Sequence, residues 1–248
     1  MEKNILLIVE YDGTNYFGFQ LQAKKGKKEI TIQEVIEIAL YRLFKKNIRI
    51  LYASRTDKGV HAKGQVVSFK IDTKIPLKNI KNALNSFLPK DIRIKNIKLA
   101  DYNFNPRFYA KSKIYRYVIL NKKEPDVFYR NYSWHIEEKL SLDLIKKASL
   151  KIIGKRDFSI FAKEPKTYKN TIRHIKNIWI KKRGSFIYID IEADGFLRNM
   201  VRNIVSFLVR VGKRDIEISK IPLILKKIIP YTNKPAPSFG LYLLKVNF

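Results

Sequence analysis

The sequence predicts an α+β fold built from two similar halves, each an antiparallel sheet with helices. Three observations carry this expectation. Strand-length apolar runs alternate with stretches of helical period. The second half repeats the element style of the first. And 46 % of the 248 residues are hydrophobic, enough for a real core in a chain of this size.

Taken in order, residues 5–9 (Ile-Leu-Leu-Ile-Val) form a buried strand, closed by the turn residues Asp12-Gly13-Thr14-Asn15. Lys24-Lys25-Gly26-Lys27-Lys28 is a basic loop, either a solvated tip or a phosphate contact. Thr31 and Glu34 make a capping box. Behind it Ile32, Val35, Ile36, Ala39, Leu40 and Leu43 share one helical face. Residues 66–71 read as a strand, Leu77–Phe87 as a helix behind Pro76, and Ile92–Ala100 as a strand. Residues 101–106 have no period and mark a candidate boundary, giving domains 1–105 and 106–248. Beyond it, residues 114–120 are a strand. Leu142, Ile145, Ala148, Ile152 and Ile153 mark a helix stopped by Gly154. Residues 172–182 and Phe186–Ala193 make a hairpin around Arg183-Gly184-Ser185, with Ile187, Ile189 and Ile191 alternating. Residues 197–211 form a helix ended by Gly212, and residues 241–248 a closing strand.

The charge narrows the function. There are 51 basic and 22 acidic residues, a net +29. Residues 1–105 carry 20 basic against 10 acidic, and residues 106–248 carry 31 against 12, so both halves are basic. Lysine and arginine displace counterions from phosphates, which points to nucleic acid; the bland reading is a lysine-rich solvated surface. The 14 Tyr, 15 Phe and 2 Trp are generous for a basic protein, and some rings can stack on bases. The absence of cysteine excludes disulfides, thiolate zinc sites and cysteine nucleophiles. His61, His135 and His174 show no metal-ligand spacing, and the ten glycines form no nucleotide-binding loop. No apolar run approaches the ~20 residues of a membrane span. The N-terminus shows no signal-peptide pattern. A soluble, intracellular protein is expected, without a histidine-rich metal site or a membrane span.

Three segments can carry chemistry. Ala53-Ser-Arg-Thr-Asp-Lys-Gly-Val-His-Ala62 crowds one acid, Asp57, between Arg55 and Lys58. Neighbouring cations keep a carboxylate ionised, and such a group is a usable nucleophile. The same Asp-Lys-Gly is also ordinary turn chemistry. Gly195-Phe-Leu-Arg-Asn-Met-Val-Arg-Asn-Ile204 sets Leu197, Met200, Val201, Ile204 and Leu208 in a core stripe, with Arg198 and Arg202 as i,i+4 neighbours off it. Like charges so spaced repel by about 0.2–0.5 kcal/mol, which an anion would relieve; a solvated basic face is the alternative. In Ile114-Tyr-Arg-Tyr-Val118 the two tyrosines share one strand face and Arg116 takes the other. One tyrosine can stack on a base; both can be core.

Together these segments resemble the TruA family of tRNA pseudouridine synthases. The resemblance rests on Tyr11-Asp-Gly-Thr-Asn-Tyr16, Gly18-Phe-Gln20, Arg55-Thr-Asp-Lys-Gly-Val-His-Ala62 and Gly64-Gln65-Val66. It continues through Arg107-Phe108, Tyr115-Arg-Tyr117, Asp157-Phe158, Gly195-Phe-Leu-Arg-Asn-Met-Val-Arg-Asn203 and Ala236-Pro-Ser-Phe-Gly-Leu241, in the family's order and nearly end to end. It implies isomerisation of uridine to pseudouridine at positions 38, 39 and 40 of the tRNA anticodon stem–loop, without cofactor or metal. By the same resemblance Asp57 is the catalytic aspartate and Tyr115 the tyrosine stacked on the target base. Arg55 and Arg202 are the arginines near the aspartate, with roles that can be exchanged. Lys58, His61, Arg107, Arg198 and Phe161 are expected at the substrate, although His61 also reads as a structural residue. The family implies one curved sheet with a basic central cleft, and a homodimer with tRNA across both subunits. Phe19 stands where the family has tryptophan, and Ser54 and Lys58 where it has glycine and alanine. A non-enzymatic basic RNA-binding protein, or a synthase acting on another RNA, are the alternatives.

Overall fold

The computed structural model describes residues 1–22, 29–232 and 234–248. The basic stretch 24–28 lies outside the described residues. The fold class is α+β, as expected. The chain forms two compact units, Met1–Lys111 with Tyr242–Phe248, and Ser112–Leu241.

In the first unit, β1 (Lys3–Tyr11) is followed by α1 (Ile32–Phe44), β2 (Leu51–Tyr52), β3 (His61–Ile71), α2 (Leu77–Phe87) and β4 (Ile92–Ala100). β1 runs between β3 and β4, antiparallel to both, and β2 lies antiparallel on β3. The capping box is real on its N-terminal side: the Thr31 hydroxyl accepts the Glu34 N–H at 3.3 Å. α1 buries Ile32, Ile36, Ala39 and Leu40, while Val35 and Leu43 at the margins of the face are only half-buried. α2 buries Ile80 and Leu84 and packs against α1 and β4. The aperiodic stretch after β4 is tied down by a buried asparagine: Asn4 Nδ2 donates to the carbonyls of Asp101 and Phe104, both at 2.9 Å.

The second unit contains β5 (Ser112–Asn121), β6 (Trp134–Ile136), α3 (Leu142–Ile152), β7 (Gly154–Asp157), β8 (Ile172–Arg183), β9 (Phe186–Ala193), α4 (Met200–Gly212) and α5 (Ile221–Leu225). β5, β9, β8 and β7 lie side by side, each antiparallel to the next, and β6 runs parallel to β5. Ile187, Ile189 and Ile191 point into the core and are fully buried. α3 packs on β8 and α4 on β5. Nearly every side of α4 is buried, so it is a core helix rather than a surface one. The last strand, β10 (Leu241–Asn247), returns to the first unit and pairs parallel with β3, Tyr242 opposite His61.

Several strand ends extend or shorten by a residue or two against the sequence reading, and two larger shifts have an identifiable cause. β3 starts at His61, five residues before the expected 66. The earlier segment holds Gly64, and glycine inside a strand reads as a breaker. Here it marks a close backbone approach, since a Cβ at Gly64 would lie 2.7 Å from the Leu244 carbonyl oxygen of β10. α4 starts at Met200, not at 197, because Asn199 adopts a left-handed backbone (φ 61°). Arg198 therefore precedes the helix, and the expected i,i+4 repulsion between Arg198 and Arg202 does not arise. No helix of the described residues is long and apolar enough to cross a membrane.

Asp157 ends β7 in a dense polar cluster. It accepts the Ser159 N–H at 2.8 Å, the Thr171 hydroxyl at 2.7 Å and the Lys227 ammonium. Burial works against its charge, but the Lys227, Thr171 and Ser159 contacts outweigh this and hold the carboxyl well below its usual 3.8. A depressed folded-state pKa contributes stability that is complete above the unfolded value and is lost as pH falls through the folded one. Asp157→Asn is therefore expected to destabilise the protein at pH 7 by on the order of 1 kcal/mol, discounted for partial exposure. The difference should shrink as pH falls from about 4 towards 2, read by denaturant unfolding of both proteins across that range.

Candidate active site

In the first unit Arg55, Asp57 and Lys58 sit on one loop between β2 and β3, and His61 opens β3. Asp57 opens a β-turn in which its carbonyl accepts the Val60 N–H at 3.1 Å. Gly59, third in the turn, has φ 75°, the positive value a type II turn demands. The turn reading and the nucleophile reading are thus compatible: the turn is what presents the carboxylate. Asp57 is half-buried, and Arg55 and Lys58 on either side are exposed.

The loop is held from below by the first motif of the chain. The Phe19 N–H donates to the Thr56 carbonyl at 3.0 Å, and the Gly59 N–H to the Tyr16 carbonyl at 3.4 Å. The Tyr11 and Thr56 hydroxyls are hydrogen-bonded at 2.8 Å in a buried setting. Tyr16 is itself pinned, its hydroxyl donating to Asp91 at 2.7 Å; burial and the Asp91 carboxylate push its pKa far up. Gly18 (φ 89°) lets the chain pass against the loop, since a Cβ there would meet the Thr56 carbonyl oxygen at 2.6 Å. Phe19 is fully buried against Tyr52, with ring centroids 4.8 Å apart, so its departure from tryptophan is a matter of core packing. His61 is also buried. Its Nδ1 accepts the Gly13 N–H at 3.0 Å and its ring stacks on Tyr242 at 4.7 Å. It braces the loop's exit.

Gln65 is a positioning residue to which sequence reasoning gave no role. Fully buried on β3, it donates from Nε2 to the Ser54 carbonyl at 2.7 Å and accepts the Ser54 N–H at 3.3 Å. This double clamp fixes the backbone three residues before Asp57. Its signal was available: a glutamine between apolar strand residues must find partners when buried. Gln65→Leu removes both bonds from Ser54, at a cost of about 2–4 kcal/mol. The expected result is a melting temperature lower by roughly 5–10 °C, together with reduced activity.

In the second unit one segment, residues 195–203, gathers the other candidates. Tyr115 is 5 % exposed and meets the Phe196 ring edge-on at 5.1 Å. Tyr117 is core: its hydroxyl donates to the Pro237 carbonyl at 2.8 Å, and Gly240 leaves room for its ring. Arg116 is structural, paired fork-on-fork with Asp190 at 2.8 and 2.7 Å, which raises its pKa further. Arg202 is half-buried on the first turn of α4. It donates from Nε to the Ala236 carbonyl at 2.6 Å and from Nη1 to Asn199 Oδ1 at 3.4 Å. Arg198 already has an anion, Glu164, at 3.3 Å. Phe161 is fully buried among Phe158, Phe207 and Tyr231, and offers its carbonyl to Asn203 at 2.7 Å. In the first unit Arg107 is exposed on the tethered stretch beside the exposed Phe108 ring, 6.0 Å away.

Comparison with known proteins gives one consistent result. Residues 7–109 and 148–248 match the family described as tRNA pseudouridine synthase. A "tRNA pseudouridine synthase A" of Thermoanaerobacter sp. (strain X514) is 43 % identical over 245 residues, covering 98 % of this chain and 99 % of that one. Proteins of the same name from Pseudothermotoga lettingae and Geobacter sulfurreducens are 41 % and 39 % identical over 248 residues, each covering 99 % of this chain and 100 % of their own.

Proposed function

This chain belongs to the tRNA pseudouridine synthase family, and on that premise we propose that it isomerises uridine to pseudouridine in tRNA with Asp57 as the nucleophile. The observation that carries the residue assignment is the loop: one acid, on a turn, clamped by backbone hydrogen bonds on both sides and flanked by cations.

The chemistry asks for little else. Uridine joins ribose C1′ to N1 of the base, and pseudouridine joins it to C5. The base detaches, turns and reattaches; C5 loses a proton and N1 gains one. The change is an isomerisation and consumes no co-substrate. A carboxylate can attack C1′, add to C6 or assist departure of the base, and each route needs it ionised and fixed. In this reading Arg55 and Arg202 hold the substrate. Tyr115 holds the detached ring by stacking, and Phe196 limits where the tyrosine ring can lie. Flipping a paired uridine out of a stem costs a few kcal/mol, which phosphate contacts from Arg107, Arg198 and the lysine-rich surface offset. His61 and Phe161, both buried, act through what they hold: His61 through Gly13 and Phe161 through Asn203. The target is the anticodon stem–loop at positions 38, 39 and 40. The enzyme works in the cytoplasm as a homodimer, as in the family its sequence resembles.

Pseudouridine mapping on an unmodified tRNA transcript bearing uridine at all three positions tests this, with no metal or nucleotide added. Pseudouridine at those positions is the expected result. Binding of tRNA without any pseudouridine would overturn the reading in favour of a binding protein, and product elsewhere would overturn the site assignment.

A further inference from the structure

We infer that Lys58, backed by the ring of Phe17, is a binding residue for the phosphodiester next to the target uridine; this rests on the function proposed above. The Lys58 ammonium lies 3.8 Å from the centroid of the Phe17 ring. Phe17 is anchored through both of its backbone groups. Phe17 donates its N–H to the Ile30 carbonyl at 3.0 Å, and its carbonyl takes the Gln22 side-chain amide at 2.9 Å. Gly18, next in the chain, lies against the backbone of Thr56, Asp57 and Lys58.

The nature of the partner matters. Arg198, Arg116 and Lys227 are each met by a carboxylate, from Glu164, Asp190 and Asp157, which cancels much of their charge. A ring face attracts a cation through its quadrupole but brings no countercharge. The Phe17 ring therefore holds Lys58 in place without itself supplying a countercharge. It is exposed, and it adjoins Asp57, about 3.8 Å away along the backbone. An anion reaching Lys58 while a ribose reaches Asp57 belongs to the same nucleotide or its neighbour. In RNA that anion is a phosphodiester.

The test uses the full-length protein and an anticodon stem–loop RNA. Lys58→Ala is expected to raise KM about tenfold with kcat within about twofold, and to lower the slope of log affinity against log salt by about one. Lys58→Arg should restore most of the KM. Phe17→Leu should raise KM by a smaller factor, and adding it to Lys58→Ala should cost nothing more, because the ring acts only through the lysine. The decisive arm replaces single phosphodiesters around the target uridine by neutral methylphosphonates. One such replacement should weaken the wild type about tenfold and leave the Lys58→Ala enzyme unaffected. An unchanged KM, a loss confined to kcat, or a methylphosphonate penalty equally large in the variant would overturn the proposal. If the wild type makes no pseudouridine, the functional reading fails instead, and the two failures are thereby told apart.

Discussion

Asp57→Asn is expected to reduce pseudouridine formation about 10⁴-fold or more while tRNA affinity stays within about threefold. Asparagine has the shape of aspartate, and the hydrogen bond that closes the turn uses the backbone carbonyl of residue 57, not its side chain. The turn, the Gln65 clamp and the Phe19–Thr56 bond should therefore persist while the carboxylate charge is lost. An amide oxygen is too weak a nucleophile to substitute at pH 7. Single-turnover assays with saturating enzyme isolate the chemical step, and filter binding at fixed salt reports affinity. A variant keeping a tenth of wild-type turnover would exclude Asp57 as the nucleophile. A parallel collapse of affinity would mean that the substitution had disturbed the loop.

Gly18→Ala is expected to lower kcat about 10²-fold without unfolding the protein. Two penalties combine there. The backbone sits at φ 89°, where an L side chain costs about 1–2 kcal/mol. The new methyl also collides with the Thr56 carbonyl oxygen at 2.6 Å, and that oxygen belongs to the residue before Asp57. Relief requires the loop to move, and displacement of a reacting group by about 1 Å can cost about 10²-fold. Gly184→Ala separates the two effects. Gly184 also has positive φ, 55°, but a Cβ there meets nothing within 4 Å. It should cost some stability and leave turnover unchanged. Equal turnover in both variants and wild type would show that Gly18 does not position the loop.

Local pattern made much of this legible in advance. Leu77–Phe87 and Ile92–Ala100 fall where period and proline place them. The β8–β9 hairpin follows from alternating isoleucines and Gly184. Where partners lie far along the chain, the pattern is silent. Gly64 reads as a breaker until Leu244 of β10 is seen against it. Asn199 reads as an ordinary helix residue, and its left-handed backbone shortens α4 and parts Arg198 from Arg202. At the site, the acid between cations was visible because its neighbours are adjacent in sequence. The support from Tyr11, Tyr16, Gly18 and Phe19 was present as a motif without a role, because a scaffold contact across some 40 residues leaves no period to read. Tyr115 and Tyr117 were indistinguishable on one strand face. Pro237 and Gly240 mark Tyr117 as core, and Tyr115 is nearly as buried, with the Phe196 ring edge-on against it.

The return of β10 to the first unit has a consequence for synthesis. β3, which carries the exit of the Asp57 loop, pairs on one side with residues translated only after the whole second unit. On a ribosome elongating at about 5–20 residues per second, β1, β3 and β4 can associate early, yet the bed beneath His61 and Gly64 must wait many seconds for Tyr242 and Leu244. The nascent chain therefore holds the Asp57 loop on an unfinished support until translation nears its end. An incomplete chain would meet tRNA as a basic ligand before it could act on it as a catalyst.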